Sequence, residues 1–184
     1  MRPHRNQCGP AMSPMTRLAS REQTPAHHPG IGDIRDLLTF RLAMLVAAND
    51  RMGQGWMKSI FGLRLVEFRI LGLTAAMEPV RFGDVARRLV IDKGQLSRQV
   101  KEMVERSLIQ TVRDKDDQRT IRLVTTTEGR DLHDRALVMA YARNDVIVSA
   151  LSESETETLF RLLDKLQPFM DHRVEKAGNL EVED

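Results

Sequence analysis

Between Phe82 and Val124 the sequence carries two stretches of helical period and then a period of two, and few folds accommodate that order. "FGDVARRL", Phe82 to Leu89, has the spacing of a short helix. After a brief turn, "DKGQLSRQVKEMVERSLI" (Asp92 to Ile109) places Leu96, Val100, Met103, Val104 and Leu108 at helical intervals, so one side of a second helix should be buried. The period then drops to two. Ile109, Thr111 and Arg113, with Thr120, Arg122 and Val124, alternate with Gln110, Val112, Ile121 and Leu123, which predicts two strands. The turn between them, Asp114–Arg119, is wholly charged or amide and lacks Asn-Gly or Asp-Gly, which predicts a loop longer than two residues.

Helical segments flank this unit. Ile34, Leu37, Leu38, Leu42, Leu45 and Met52 share a face, which predicts a helix from Asp33 to about Met52, broken by Gly53 and Gly55. A second helix, Leu65–Met77, carries Leu65, Phe68, Leu71 and Leu73 and ends at Glu78-Pro79, because a residue before proline avoids helical geometry. A long helix begins after Thr125 or Thr126, where Thr125-x-x-Glu128 has capping-box spacing, and runs through Leu132, Ala136, Met139 and Val146 to about Ala150. Ser152-x-x-Glu155 opens the last one, striped by Leu159, Leu162, Leu163, Leu166 and Phe169. Residues 1–30, with Pro3, Pro10, Pro14, Pro25 and Pro29 and no apolar period, are expected to be a disordered tail, and residues 176–184 a frayed end.

The expected fold is mostly α with a small β-hairpin wing: a winged helix-turn-helix at residues 58–126, with helical dimerisation segments at 31–57 and 127–175. An amphipathic helix at each end of the chain needs something to cover it, and a second copy supplies that.

In such a unit the second helix enters the major groove of duplex DNA, its first side chains at base edges. The exposed side of that helix begins Lys93, Gly94, Gln95, Ser97, Arg98, followed by Lys101. Gln95, Ser97 and Arg98 offer hydrogen bonds, and arginine pairs bidentately with guanine. Gly94 keeps the backbone low. On the hairpin tip, Lys115 and Arg119 suit the narrow, negative minor groove, with Asp117 directing Arg119. A local Asp117–Arg119 pair that merely stiffens the turn is the alternative. Charge distribution agrees with a DNA-facing centre: residues 81–119 hold 10 Lys/Arg against 7 Asp/Glu, whereas residues 151–184 hold 4 against 9.

The run "RDKDDQRTIRLVTTTEGRDL" resembles the wing signature of the MarR (multiple antibiotic resistance regulator) family of bacterial transcription factors. Asp117, Arg119, Thr126 and Gly129 fall on its positions, and "LSESETETLFRLLDKL" resembles the family's terminal dimerisation segment. Thr125 stands where the family usually has Leu, and Asp92-Lys93-Gly94 replaces a Ser/Thr-rich helix start. The resemblance spans about Asp33 to Phe169. It implies a homodimeric regulator, commonly a repressor reading a pseudo-palindromic operator. It also implies release by a small, often aromatic, anionic effector bound between dimerisation helices and DNA-binding lobe. Met44, Trp56, Phe61, Phe68 and His133 are the candidate walls and polar tips, and Arg41, Arg64 and Arg69 the candidate carboxylate partners. Each also has an ordinary reading, as packing for Trp56 and Phe61 and as a satisfied surface or interface histidine for His133.

Other classes fit less well. There is no nucleophile elbow, no phosphate-cradling glycine loop and no His/Cys/Asp cluster at ligand spacing, so neither an enzyme nor a cofactor or metal is expected. Aromatic content of 4% leaves no stacking platform for single strands. The single cysteine, Cys8, falls in the expected tail, which argues against a redox sensor. Without a long apolar run or a leader-like N-terminus, the expectation is a cytoplasmic protein with no membrane partner. A winged helix that docks another protein instead of DNA is the remaining alternative.

Overall fold

The computed structural model describes residues 32–114 and 117–178, with side chains as far as Met170. The expected tail, Cys8 and Lys115 therefore lie outside the described residues. The chain divides into two compact units, residues 1–49 and 50–184. In the first, Asp33 and Asp36 cap a short 3-10 turn, Ile34–Asp36. Helix α1, Leu38–Phe61, follows it and continues into the second unit.

Helix α1 does not stop at Gly53 and Gly55, as the sequence suggested. Each glycine costs a helix only about 1 kcal/mol. That cost is offset one turn later, where Met57 is fully buried. Gly53 itself is buried, and a methyl there would touch Leu65 at 3.5 Å.

Helix α2, Leu65–Met77, starts where Glu67 reaches back to the Arg64 amide at 2.7 Å. It ends at Glu78, whose ψ of 141° precedes Pro79. Strand β1, Val80–Arg81, was not anticipated: two residues carry no period to read. It pairs with β3, placing Val80 opposite Leu123, in a three-stranded antiparallel sheet of order β1-β3-β2.

Helix α3 (Phe82–Leu89) ends on Val90 in the left-handed conformation, and α4 (Lys93–Glu105) begins at its cap, Asp92. Strands β2 (Ile109–Arg113) and β3 (Ile121–Thr125) pair with Thr111 opposite Leu123 and Ile109 opposite Thr125. That register puts Ile109 and Leu123 on one buried face, not on opposite faces as the alternation implied. The long loop between the strands is as expected.

Helix α5 (Thr127–Val148) is capped by Thr126, whose hydroxyl accepts from Gly129 N at 2.9 Å. Thr125 is not the cap; it closes β3 and gives its hydroxyl to Glu78. Helix α6, Glu153–Gly178, opens with the expected Ser152/Glu155 pair and runs through Pro168. It extends past residue 175, where fraying was expected.

The core binds these elements into one lobe. Leu63, Ile70, Leu71, Val85, Leu96, Met103, Leu123 and Ala136 are completely shielded from solvent. They come from α2, α3, α4, β3, α5 and the turn before α2, so α4 is held from behind by apolar contact on several sides. The apolar stripes elsewhere stay uncovered within the single chain: Leu45 is 68% exposed, Val146 74% and Phe169 57%.

Candidate nucleic-acid interface and effector groove

Helix α4 is two-sided. Leu96, Val100 and Met103 face the core, while Val104, expected beside them, is 38% exposed. Its angular position lies at the edge of the stripe. Lys93, Gly94, Ser97, Arg98 and Lys101 are exposed, and Gln95 is half-buried. Among the described residues no carboxylate pairs with Lys93, Arg98 or Lys101. Asp92 spends its carboxylate on the Gln95 amide at 2.8 Å, which fixes the first turn. Gln99, on the same helix, is buried.

The wing is built differently from the expectation. The Asp117 carboxylate accepts from the Arg119 backbone amide at 3.0 Å and from the Thr120 hydroxyl at 2.7 Å; it does not pair with the Arg119 guanidinium. Asp117 thus shapes the turn and leaves the arginine's direction to the backbone. The Thr120 hydroxyl and then the Arg119 amide hold its carboxyl below the ordinary range, against burial and the Asp114 charge, with help from Arg81. Beneath the turn, buried Asp114 takes the Arg122 guanidinium, which also donates to Pro79 O at 3.0 Å. Sequence reading missed this anchor. A charged run gives no sign of which carboxylate turns inward.

Folding brings the exposed edge of α4 and the wing turn together. Lys93 of α4 and Arg119 of the wing line one small cleft of about 360 Å³, joined by Arg81 of β1. Three cations from segments far apart in sequence therefore gather where wing and helix meet.

A separate groove of about 1600 Å³ lies along α2, α3 and α5. Of the candidate effector residues it contains Phe68, Arg69 and His133. His133 lies nearly parallel to Phe68, with ring centroids 6.4 Å apart, and its Nδ1 meets Asp134 at 2.8 Å. Arg69 is already paired with Asp50. Trp56 and Phe61 are not in the groove. They pack edge to face at 6.1 Å, with the Arg143 guanidinium 5.9 Å from the Trp56 ring. Arg64 is held by Glu67 and Glu102. Arg41 belongs to the first unit, bonded to Arg35 O at 2.8 Å, and Met44 there is exposed. The groove's other polar wall, Arg130 and Tyr141, was not read from the sequence. An arginine on a helix face usually signals only solvated charge.

Among the described residues no His, Cys, Asp or Glu cluster could hold a metal, and no helix is long and apolar enough to cross a membrane.

The sequence pattern of the MarR family matches residues 61–120, which spans α2 to the wing. No curated protein sequence matches the chain. The MarR/EmrR family transcriptional regulator from Acinetobacter sp. ADP1 is similar at 26% identity and a TM-score of 0.70, over 76% of this chain and 99% of that one. The S. aureus MepR-DNA complex aligns at 20% identity and a TM-score of 0.64, over 72% of this chain and 97% of that one. The PcaV regulator from Streptomyces coelicolor, in complex with its natural ligand, aligns at 21% and 0.62, over 76% and 98%.

Proposed function

We infer, from a chain whose winged-helix lobe is of the MarR family, that this protein is a cytoplasmic, homodimeric repressor of transcription. It binds a pseudo-palindromic operator and is released by a small aromatic anion. The observation that carries this reading is the basic edge of α4, which pairs with no carboxylate among the described residues, is backed by buried Leu96, Val100 and Met103, and is continuous with Arg119 through the cleft. Lys93, Gly94, Gln95, Ser97, Arg98 and Lys101 read the major groove; Lys115 and Arg119 serve the minor groove, Arg119 from a turn set by Asp117. Residues 58–126 form the reading lobe. Residues 31–57 and 127–175 form the dimerisation region, supported by the exposed stripes of α1, α5 and α6. Two lobes on a two-fold axis would meet half-sites roughly 34 Å apart. MepR in its complex with DNA, and PcaV with its ligand, share the fold that this reading requires.

The test is base readout. On a duplex selected from random sequence, Arg98→Ala is expected to cost about 1–3 kcal/mol and to relax preference at one position of each half-site. An equal loss on random duplex would reassign Arg98 to phosphate. A parent protein with no salt-dependent affinity for any duplex would end the DNA reading and leave a protein-docking winged helix.

Arg119 gives a second expectation. Arg119→Ala should weaken operators with A·T-rich flanks most and lower the slope of log K against log salt by about 1 per subunit. Because Asp117 holds backbone and not guanidinium, Asp117→Ala should disturb the whole turn, with a loss on both kinds of flank. A flank-selective loss from Asp117→Ala would contradict the geometry of the turn.

A further inference from the structure

The effector groove and the wing share one carboxylate. Arg130, half exposed in the wall of the groove, donates from Nη1 to Ala75 O at 3.0 Å and from Nη2 to the Glu78 carboxylate. The other oxygen of Glu78 accepts both the backbone amide of Thr125, at 2.7 Å, and its hydroxyl, at 2.6 Å. Thr125 is the last residue of β3, paired with Ile109 of β2 at the root of the wing. Glu78 is the cap of α2, immediately before β1. A guanidinium open to the groove is thus two hydrogen-bonded steps from a wing strand.

We propose that Arg130 is the anion-recognising group of the groove, and that Glu78 and Thr125 carry its occupation to the wing. This rests on the effector reading above. Other cations of the groove are less suited. Arg69 and Arg87 pair with Asp50 of α1 and Asp84 of α3, which lack the tie to β3 that Glu78 makes, while Arg88 and Lys93 belong to α3 and α4 and not to the helix that carries His133. Arg130 and His133 are three residues apart on α5, on one face of the helix. A carboxylate bound there would have Phe68 and His133 beside its ring and Arg130 at its charged end.

The consequence follows from competition. A second carboxylate on the same guanidinium draws donors and positive charge from Glu78. The Glu78 carboxyl, which burial raises, is held below its ordinary range by the Thr125 hydroxyl and amide and by Arg130. Weakening its hold on Arg130 frees Glu78 to shift, and with it the acceptor of the Thr125 amide. The wing root then loosens and the Arg119 turn no longer sits at one place beside α4. Ligands without negative charge would fill the apolar wall yet leave the relay intact.

Two measurements on the full chain separate the relay from the effector reading. Without ligand, amide hydrogen exchange is followed at β3 in the parent, Arg130→Gln and Thr125→Val. Arg130→Gln should speed exchange of the Thr125 amide at least about tenfold, with α4 unchanged. Unchanged exchange there would overturn the relay while leaving the groove's ligand untouched. Next, benzoate and benzamide serve as probes by calorimetry and by titration of the selected duplex. Benzoate should bind the parent and weaken its DNA affinity, whereas benzamide should leave its DNA affinity unchanged. Arg130→Gln should lose benzoate binding at least about tenfold. Thr125→Val should keep benzoate binding but lose most of its effect on DNA. Faster exchange in Arg130→Gln with full benzoate affinity would overturn the anchor. A Thr125→Val protein still fully released by benzoate would overturn the coupling. A parent indifferent to benzoate would remove the effector reading, and the proposal with it.

Discussion

Gly129→Ala is expected to destabilise the protein by at least about 3 kcal/mol, although alanine is the better helix former by about 1 kcal/mol. Gly129 lies in the first turn of α5, and the chain passes directly beneath it. A Cβ there would stand 1.8 Å from Leu108 O and 2.7 Å from its carbonyl carbon. Both obstacles are backbone, which no rotamer change can clear. The approach is tight because this junction is tied three times. The Thr126 amide donates to Leu108 O at 3.3 Å, the Thr126 hydroxyl donates to Ser107 O at 2.5 Å, and Gly129 N donates back to Thr126 Oγ1. Moving α5 outward to admit a methyl breaks that set and lifts α5 from the end of α4. In thermal unfolding at fixed protein concentration, the loss corresponds to a fall in Tm of at least about 6 °C. Gly83→Ala is the control. It lies in α3 with nothing within 4 Å of the added carbon, and should be neutral or slightly stabilising. Equal stability of parent and Gly129→Ala would mean that the α4–β2 turn yields easily. The stiffness that any relay through this region requires would then be absent.

The same junction shows what a linear sequence discloses and what it withholds. The order of elements was legible because its punctuation is local: Pro79 ends α2, Asp92 starts α4, and charged residues fill the wing turn. The α5 cap was legible only to within one residue, as Thr125 or Thr126. Thr125 and Thr126 are adjacent and chemically equivalent as caps; the choice is made by Glu78, 47 residues earlier, which claims the Thr125 hydroxyl. Strand β1 was hidden for a related reason, since its two residues become a strand only by pairing with β3. Gly53 and Gly55 misled because their local penalty was visible and the burial of Met57 was not. Among candidate site residues, those on α4 were readable from the helical period, as exposure on one side follows from burial on the other. The groove was readable only in part. Phe68 and His133 meet there, but Arg64, a candidate anion partner, is consumed by carboxylates from α2 and α4.

That consumption predicts an asymmetry in stability. Glu67 is the buried member of a four-residue network with Arg64, Arg106 and, through Arg64, Glu102: its side chain is 2% exposed, while those of Arg64 and Arg106 are 39% and 40% exposed. It accepts from the Arg64 amide at 2.7 Å and from both guanidinium groups at 3.0 Å. Removing the carboxylate leaves two arginines that still reach water. Glu67→Ala should therefore cost only the charge-assisted bonds and packing, about 2–3 kcal/mol. Removing both cations leaves a charge in the interior with one backbone amide for company. The double change Arg64→Ala with Arg106→Ala should cost more, about 3–5 kcal/mol. Adding Glu67→Gln to that double variant should restore part of the loss. The pH dependence separates the cases by sign. In the parent, burial raises the Glu67 carboxyl, but the Arg64 side chain and amide and the Arg106 charge outweigh it and hold the value below the ordinary range. Its contribution is then complete above the unfolded value, about 4.3, and is lost as pH falls through the lower folded value. In the double variant burial acts almost alone and raises the folded value above the unfolded one, so acidification from neutrality should regain stability from this group. Denaturant unfolding of both proteins, each referenced to its Glu67→Gln counterpart from about pH 7 down to about pH 3, reads the two slopes directly. Slopes of the same sign would show that Glu67 remains solvated once its arginines are gone. The network would then be a surface ion pair, and not the clamp between the start of α2 and the end of α4.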